Sequence, residues 1–351
     1  STSWEIGTEF KMFKNRLWGD INYYVKNTKN QIINLPVAPT SGYSTKKMNA
    51  GVIQNKGIEV SLGGSPIVTK DFEWSLYVNI AKNVNKLKEL DKNNPDMTRY
   101  QLDYYGLSTR LYLYAEVGEP LGTIRGTSVK VDENSGQRVY TRNNNGDIIP
   151  VLLTSDQKDF GSIQPDATGG FGTSVTWKGI TLSAGFDFQI GGKIASVTNM
   201  YGEGSGLLKH TAATNDRGVN IREPVADGGG IKLSGVFQNS DGTYTPFTEY
   251  SNPQSYYAQV RRVWEDYVYD ASYLTIRELS VSYSIPRKLI EKLNIGLNNA
   301  SVAFVAQNPW LIHSGVPNVD ASLVGNARYG FIEQGQAFGA RTFGFTVNLT
   351  F

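Results

Sequence analysis

The stretch TFGFTVNLTF, Thr342 to Phe351, alternates without a fault. Phe343, Phe345, Val347, Leu349 and Phe351 fall on one face of an extended chain, and Thr342, Gly344, Thr346, Asn348 and Thr350 on the other. A strand with a wholly apolar face, a small polar face and an aromatic last residue is the pattern that closes transmembrane β-barrels. A half-buried strand of a soluble sheet alternates in the same way, so the rest of the chain has to decide.

Composition narrows the field. The 34 Lys and Arg against 32 Asp and Glu leave a net charge of +2, which gives no electrostatic ground for a nucleic-acid partner. With no cysteine, neither a disulfide framework nor a thiolate metal site is open to the chain. No run approaches the roughly 20 apolar residues of a membrane helix, and STSWEIGTEF at the start lacks a charged and then apolar signal segment. An exported form is therefore expected to carry its signal outside this sequence. The 37 Gly, 20 Tyr and Asn-rich connections favour an all-β reading, because Tyr suits strands and Gly and Asn suit turns.

Moving outward from the last strand, the same design recurs. Trp4, Ile6, Phe10 and Met12 share one face of a first strand, and Lys14-Asn15-Arg16 turns into a second carrying Leu17, Gly19, Ile21, Tyr23 and Val25. A second pair sets Ile58, Val60 and Leu62 before Phe72, Trp74, Leu76, Val78 and Ile80. A third, joined at Lys178-Gly179, runs through Phe171, Thr173, Val175 and Trp177 to Ile180, Leu182, Ala184, Phe186, Phe188 and Ile190. The fourth spans Tyr273 to Ile285 and Ser301 to Gln307 across PRKLIEKLNIG, and here Arg277 falls in register with the otherwise apolar Leu279, Val281 and Tyr283. Strands of about ten residues are what a tilted bilayer crossing needs.

Connections after the first, third, fifth and seventh strands are short. Those at residues 29–50, 84–169, 192–270 and 308–339 are long. Short turns on one side and long loops on the other is the asymmetry of outer-membrane barrels. That parity also places Leu107 to Val117 (LSTRLYLYAEV) in an extracellular loop, because one added wall strand would put the Lys178-Gly179 hairpin on the wrong side. Phe10, Trp18, Phe72, Trp74, Trp177, Tyr283 and Phe351 lie where short turns meet strands, the expected periplasmic aromatic girdle. The competing account, that such aromatics fill a soluble sandwich core, holds for each residue taken singly. The fold expected is an all-β, antiparallel transmembrane barrel, present as a C-terminal portion of about nine strands. An odd, downward-starting set cannot close alone, and open edges are costly in lipid.

Several phrases resemble one family, the SusC/RagA-like TonB-dependent transporters. They are EIGTEFKMFKNRLWGDINYYVKNTKNQI from Glu5, NAGVIQNKGIEVSL (Asn49, Gly51, Asn55, Gly57, Glu59), VGEPLGTIRG (Gly118, Glu119, Pro120, Gly122, Gly126), FGSIQPDATGGF (Gly161, Pro165, Gly169, Gly170, Phe171) and YVYDASYLTIRELSVSYSIP (Asp270, Leu274, Arg277, Leu279, Tyr283, Pro286). AQNPW, ending at Trp310, departs from the family's usual strand end. The resemblance implies an outer-membrane, multi-pass protein, the C-terminal part of a barrel of about 22 strands, with no enzymatic activity and no cofactor. It implies TonB-dependent import of an oligomeric nutrient, glycan or peptide, with outer-membrane lipid and lipopolysaccharide around the wall. Its implied partners are a SusD-like surface lipoprotein and TonB-ExbB-ExbD, the latter through an N-terminal part and plug absent from these residues, in a dimer of SusCD pairs. Phe351 resembles the family's assembly signal.

Chemistry-bearing residues are sparse. His210 and His313 are far apart in loops and make neither triad nor zinc site. Asn143-Asn144-Asn145-Gly146-Asp147 lacks the closing bidentate Glu of a calcium loop and reads as a β-turn. Gly202, Gly204, Gly206 and Gly228 to Gly230 lack the strand and helix of a phosphate cradle and read as loop. The substrate-binding candidates are loop aromatics, Tyr104, Tyr105, Tyr112, Tyr114, Trp264, Tyr267, Tyr269 and Trp310, which suit stacking on sugar rings or packing on peptide or, equally, packing the loops together. Glu5, Glu9, Asp20, Glu59, Glu73 and Asp187 are expected to line the lumen, facing a plug. The alternative from another class is a secreted soluble β-sandwich that binds carbohydrate, in which Leu182, Phe186 and Phe188 face a second sheet. An extracellular enzyme lacks an acid, base or nucleophile constellation.

Overall fold

The computed structural model describes residues 1–36, 45–92, 94–106, 110–292, 296–324, 330–335, 337 and 339–351, with the side chains of 31–50 and 156 excepted. Nine strands form one sheet in sequence order: β1 (Thr2–Met12), β2 (Leu17–Pro36), β3 (Thr45–Val68), β4 (Phe72–Glu89), β5 (Ala167–Trp177), β6 (Ile180–Ile190), β7 (Tyr273–Ser284), β8 (Asn299–Ser314) and β9 (Thr342–Thr350). Every neighbouring pair is antiparallel, and the sheet is open, with β1 and β9 at its edges. Backbone dictates the tight turns. Lys178 and Gly179 both take positive φ, 48° and 86°, the two-residue geometry that matches strand twist.

Register sorts the side chains into two faces. One row runs Leu62, Val78, Phe171, Phe186 and Ile276 across five strands. The row offset by one residue runs Glu9, Asp20, Ser61, Asn79, Gly170 and Asp187. The apolar face is bare of protein: Phe345 is 80% exposed and Leu182 48%. A soluble sandwich would bury these residues under a second sheet, and none of the other sheets pairs with or closes over this face among the described residues. An apolar sheet face bare of protein is stable only where the surroundings are themselves apolar.

Three corrections to the sequence reading concern length. The connection expected at 29–50 is mostly hairpin, since β2 runs to Pro36 and β3 starts at Thr45; residues 37–44 lie outside the described set. Likewise β4 continues to Glu89 and β8 to Ser314. Alternation fades at Lys26-Asn27-Thr28-Lys29, which is polar on both faces, but ladder hydrogen bonds need no apolar face to continue. PRKLIEKLNIG contributes one short helix, Arg287–Glu291, with 293–295 outside the described residues.

The long connections build a body with its own core. Residues 99–106, 110–116, 123–129 and 152–162 form one four-stranded sheet, so the stretch 110–117 stays out of the wall as expected, while 107–109 lie outside the described residues. A second sheet joins 139–142, 148–150, 231–238 and 244–251, and a third joins 193–196, 268–270 and 332–333. Leu111, Leu113 and Ile124 of the first sheet and Ala195 and Ile332 of the third pack with Met200, Val260, Trp264 and Tyr267, and the second sheet clusters separately around Tyr140, Ile148 and Leu233. The protein's main hydrophobic core thus lies outside the wall.

Candidate recognition site

The polar face of the wall carries the acids as the alternation places them: Glu5 opposite Tyr24, Glu9 opposite Asp20, Glu59 opposite Asn22 and Glu73 opposite Thr176. Arg277 joins them. Ile276 pairs with Phe186 but Glu278 with Gly185, so a bulge at Arg277 puts its two flanking residues on opposite faces. Its guanidinium donates to Asp187 Oδ2 at 2.8 and 3.1 Å and to Asn308 Oδ1 at 3.3 Å, and Tyr273 Oη donates to the same Asp187 oxygen at 3.3 Å. A charge on the lipid side of a barrel costs about 2–4 kcal/mol at mid-bilayer, which the bulge avoids.

Of the girdle residues, Phe72, Trp74, Trp177 and Tyr283 lie on the apolar face beside the short turns, and Trp74 Nε1 donates to Thr173 Oγ1 at 2.9 Å. Phe10 shares that face and covers Gly19. Phe351 follows β9 and is exposed. Trp18 differs: it pairs with Lys11 and Gly63 on the polar face, where its ring lies so close over Gly63 that a Cβ there would meet it at 2.2 Å. Tyr77 covers Gly172 in the same way. Its proximity to the turn, not its parity, put Trp18 among the girdle candidates.

The eight aromatic candidates split three ways. In the strand 110–116, Leu111, Leu113 and Ala115 are buried and Tyr112 and Tyr114 face out, their rings 5.7 Å apart at 23°. Tyr104 stands opposite Tyr112 and is 58% exposed. Arg99 lies over the Tyr114 ring at 4.7 Å, Arg110 donates to Tyr112 Oη at 3.4 Å, and Arg125 bridges Glu116 at 2.6 Å and Asp159 at 3.1 Å. This is a flat Tyr/Arg platform. Tyr105, Trp264, Tyr267 and Tyr269 instead pack the loop core, with Tyr105 edge-on to Trp264 at 5.7 Å. Trp264 and Tyr267 are buried and present no face to a ligand, because residues of distant segments, Leu111, Leu113, Ile124 and Ile332 among them, pack around them. Burial pushes the Tyr267 phenol far above its ordinary value, and its Oη donates to Glu203 Oε2 at 2.9 Å; burial also pushes Tyr269 up to about 12. Trp310 stands apart, in register with Ile276 on the apolar face.

Two polar features escaped the sequence. A cleft of about 770 Å³ is lined by Asp147, Glu203, Arg222, Asn252, Gln254 and Tyr257. Glu203 Oε1 lies 3.2 Å from His210 Nε2, and His210 meets Tyr257 edge-on. Glu333, fully buried, accepts from Ser196 Oγ at 2.8 Å, Thr198 Oγ1 at 2.6 Å, Thr198 N at 3.2 Å and the Gly335 amide. Burial alone would raise its carboxyl, but the bonds from Thr198, Ser196 and Gly335 together hold it below its ordinary value. Neither acid belongs to a periodic pattern; only topology brings residues 196 and 333 together.

The remaining motifs resolve locally. Asn143 Oδ1 accepts from the Asn145 and Asp147 amides at 2.9 Å, making the stretch a turn, and Asp147 is held by Ser255. Gly202 and Gly204 are helical, not loop, in Val197–Gly204, and Leu208 and Arg261 pack where a Cβ would stand. His313 sits in β8 opposite Leu274, away from His210.

Known proteins share this architecture. The family model for TonB dependent receptor-like β-barrels matches residues 1–187. TonB-dependent receptor P3 of Formosa agariphila is 26% identical over 317 residues, covering 87% of this chain and 29% of its own length. The TonB-dependent receptor SusC of Bacteroides thetaiotaomicron is 28% identical over 184 residues, 45% of this chain and 18% of its own. The RagAB peptide importer in its open-open state superposes with a TM-score of 0.68 at 20% identity, over 99% of this chain and 34% of that one, a likeness of fold. The chain spans about a third of the length of the curated relatives it matches.

Proposed function

Because the chain belongs to the TonB-dependent receptor-like β-barrel family, we propose that it forms the C-terminal part of the wall, and much of the extracellular body, of an outer-membrane importer for an oligomeric nutrient. The observation that carries this reading is the inverted wall: nine strands with their apolar face bare, their polar face lined with acids and Arg277, and long connections that alternate with short turns along the sheet. The sheet's two open edges need partners in lipid, and the additional length of the relatives is where we assign the closing strands, the plug and the segment that meets TonB. A SusD-like lipoprotein then covers the extracellular body, in a dimer of such pairs. Both a glycan and a peptide suit the Tyr/Arg platform at Tyr104, Tyr112 and Tyr114, since each offers groups for stacking and for guanidinium hydrogen bonds.

The test is in cells carrying the full-length transporter. Uptake of a labelled oligosaccharide or oligopeptide that depends on this gene and collapses when the proton-motive force is dissipated supports import. A heat-modifiable mobility shift in detergent supports the barrel. Recovery as a freely water-soluble monomer would sink both.

A further inference from the structure

Two separate features meet at the short-turn end of the wall. The first is a trough on the apolar face. Gly64, Leu76, Thr173 and Ala184 form one register row with three small members. The row on one side runs Leu62, Val78, Phe171 and Phe186, with the last two rings stacked at 4.5 Å. On the other side stand Trp74, pinned by Thr173, and Val175 and Leu182. The groove measures about 1040 Å³ where Leu62, Val78, Phe171 and Phe186 face Trp74 across Gly64, Leu76 and Thr173, and Phe13 and Arg16 of the first turn also line it.

The second feature is charge. The four short connections, residues 13–16, 69–71, 178–179 and 285–298, hold seven cations (Lys14, Arg16, Lys70, Lys178, Arg287, Lys288 and Lys292) against Asp71 and Glu291, a net +5 in a chain whose total is +2. Among the described residues only Arg287 of the seven has a carboxylate partner. Short turns of outer-membrane barrels face the periplasm, so this rim lies at the headgroups of the inner leaflet.

We propose that this end of the wall binds an anionic phospholipid, with one acyl chain in the trough and its phosphate on Arg16. The inference rests on the outer-membrane reading. Apolar shape alone does not single out one lipid, because every acyl chain is equally apolar; a banked groove selects by packing and the cationic rim by charge. Arg16 already donates to Val68 O at 3.3 Å, which holds its guanidinium beside the groove.

Native mass spectrometry of the full-length transporter, released from micelles with matched phosphatidylglycerol or phosphatidylcholine, tests this. The expected result is one retained phosphatidylglycerol, preferred over phosphatidylcholine by about fivefold, the effect of one well-placed cation. Arg16→Gln on the exposed turn should bring that preference close to one while either lipid still binds, and Thr173→Phe, filling the trough, should lose both. Equal retention of the two lipids by the unmodified protein, an Arg16→Gln preference unchanged, or a second protein chain in place of lipid would each overturn the site. Loss of the heat-modifiable shift in the unmodified protein would sink the membrane reading and the lipid site with it.

Discussion

Arg277 and Asp187 meet at 2.8 Å on the polar face of the wall, although strict alternation along β7 assigns the arginine to the apolar face. The bulge between Gly185 and Phe186 of β6 and their partners turns it inward, where Tyr273 and Asn308 complete the group. Asp187→Ala should therefore leave a cation without its partner. Both side chains are about one-third exposed, so the loss should be modest, about 1 kcal/mol in the unfolding free energy of the full barrel measured by urea titration. A loss above about 3 kcal/mol would mean that the pair lies in a dry interior instead.

Position within one strand should decide tolerance. Leu182→Arg puts a charge on the bare apolar face and should cost about 2–4 kcal/mol, seen as a smaller folded fraction in the outer membrane. Ser183→Arg, one residue on, points to the polar face and should assemble normally. Equal assembly of the two variants would contradict the face assignment.

The loop aromatics should separate by role. Removing Tyr104, Tyr112 and Tyr114 together should weaken substrate uptake without changing protease resistance, because Tyr104 is exposed and Tyr112 and Tyr114, half-buried, face away from the core. Trp264→Ala should instead destabilise the loop body by about 3–5 kcal/mol, the cost of emptying a packed site. Limited proteolysis set beside uptake kinetics distinguishes them, and a Trp264→Ala protein as resistant as the unmodified one would count against its core role.

Glu333 makes the loop body pH-dependent. Its folded carboxyl lies below its ordinary value, so the folded state binds the proton less tightly than the unfolded state. The stabilisation is then complete above the ordinary glutamate pKa of about 4.3 and fades as pH falls through the lower, folded value. The protection of amides 194–199 against hydrogen exchange, corrected for the pH dependence of the intrinsic exchange rate, should fall between pH 5 and about pH 3, and in Glu333→Gln that step should be absent. Identical profiles would remove Glu333 from the account.

Local periodicity made the wall legible. Phe343 to Leu349, Ile180 to Ile190 and the Lys178-Gly179 turn each state their role within a few residues, and all nine strands stand in the order that short and long connections imply. The strand ends were less legible, because Lys26 to Lys29 keep their ladder after the apolar face has ended. Arg277 was misleading for the reverse reason: a bulge is set by the pairing strand, which a single strand's alternation does not contain. Tyr112 and Trp264 look alike in sequence, and only the packing of distant segments separates a platform from a core. Glu333 carried no signal, since its partners come from a different connection.

The tie from Glu333 to Ser196 and Thr198 spans 135 to 137 residues and links the connection after β6 to the one after β8. No nascent chain can make it until the β7–β8 hairpin between them exists. Contacts of such separation are slow to form, so a chain that has not yet reached residue 333 leaves Ser196 and Thr198 without this carboxylate and the two connections untied.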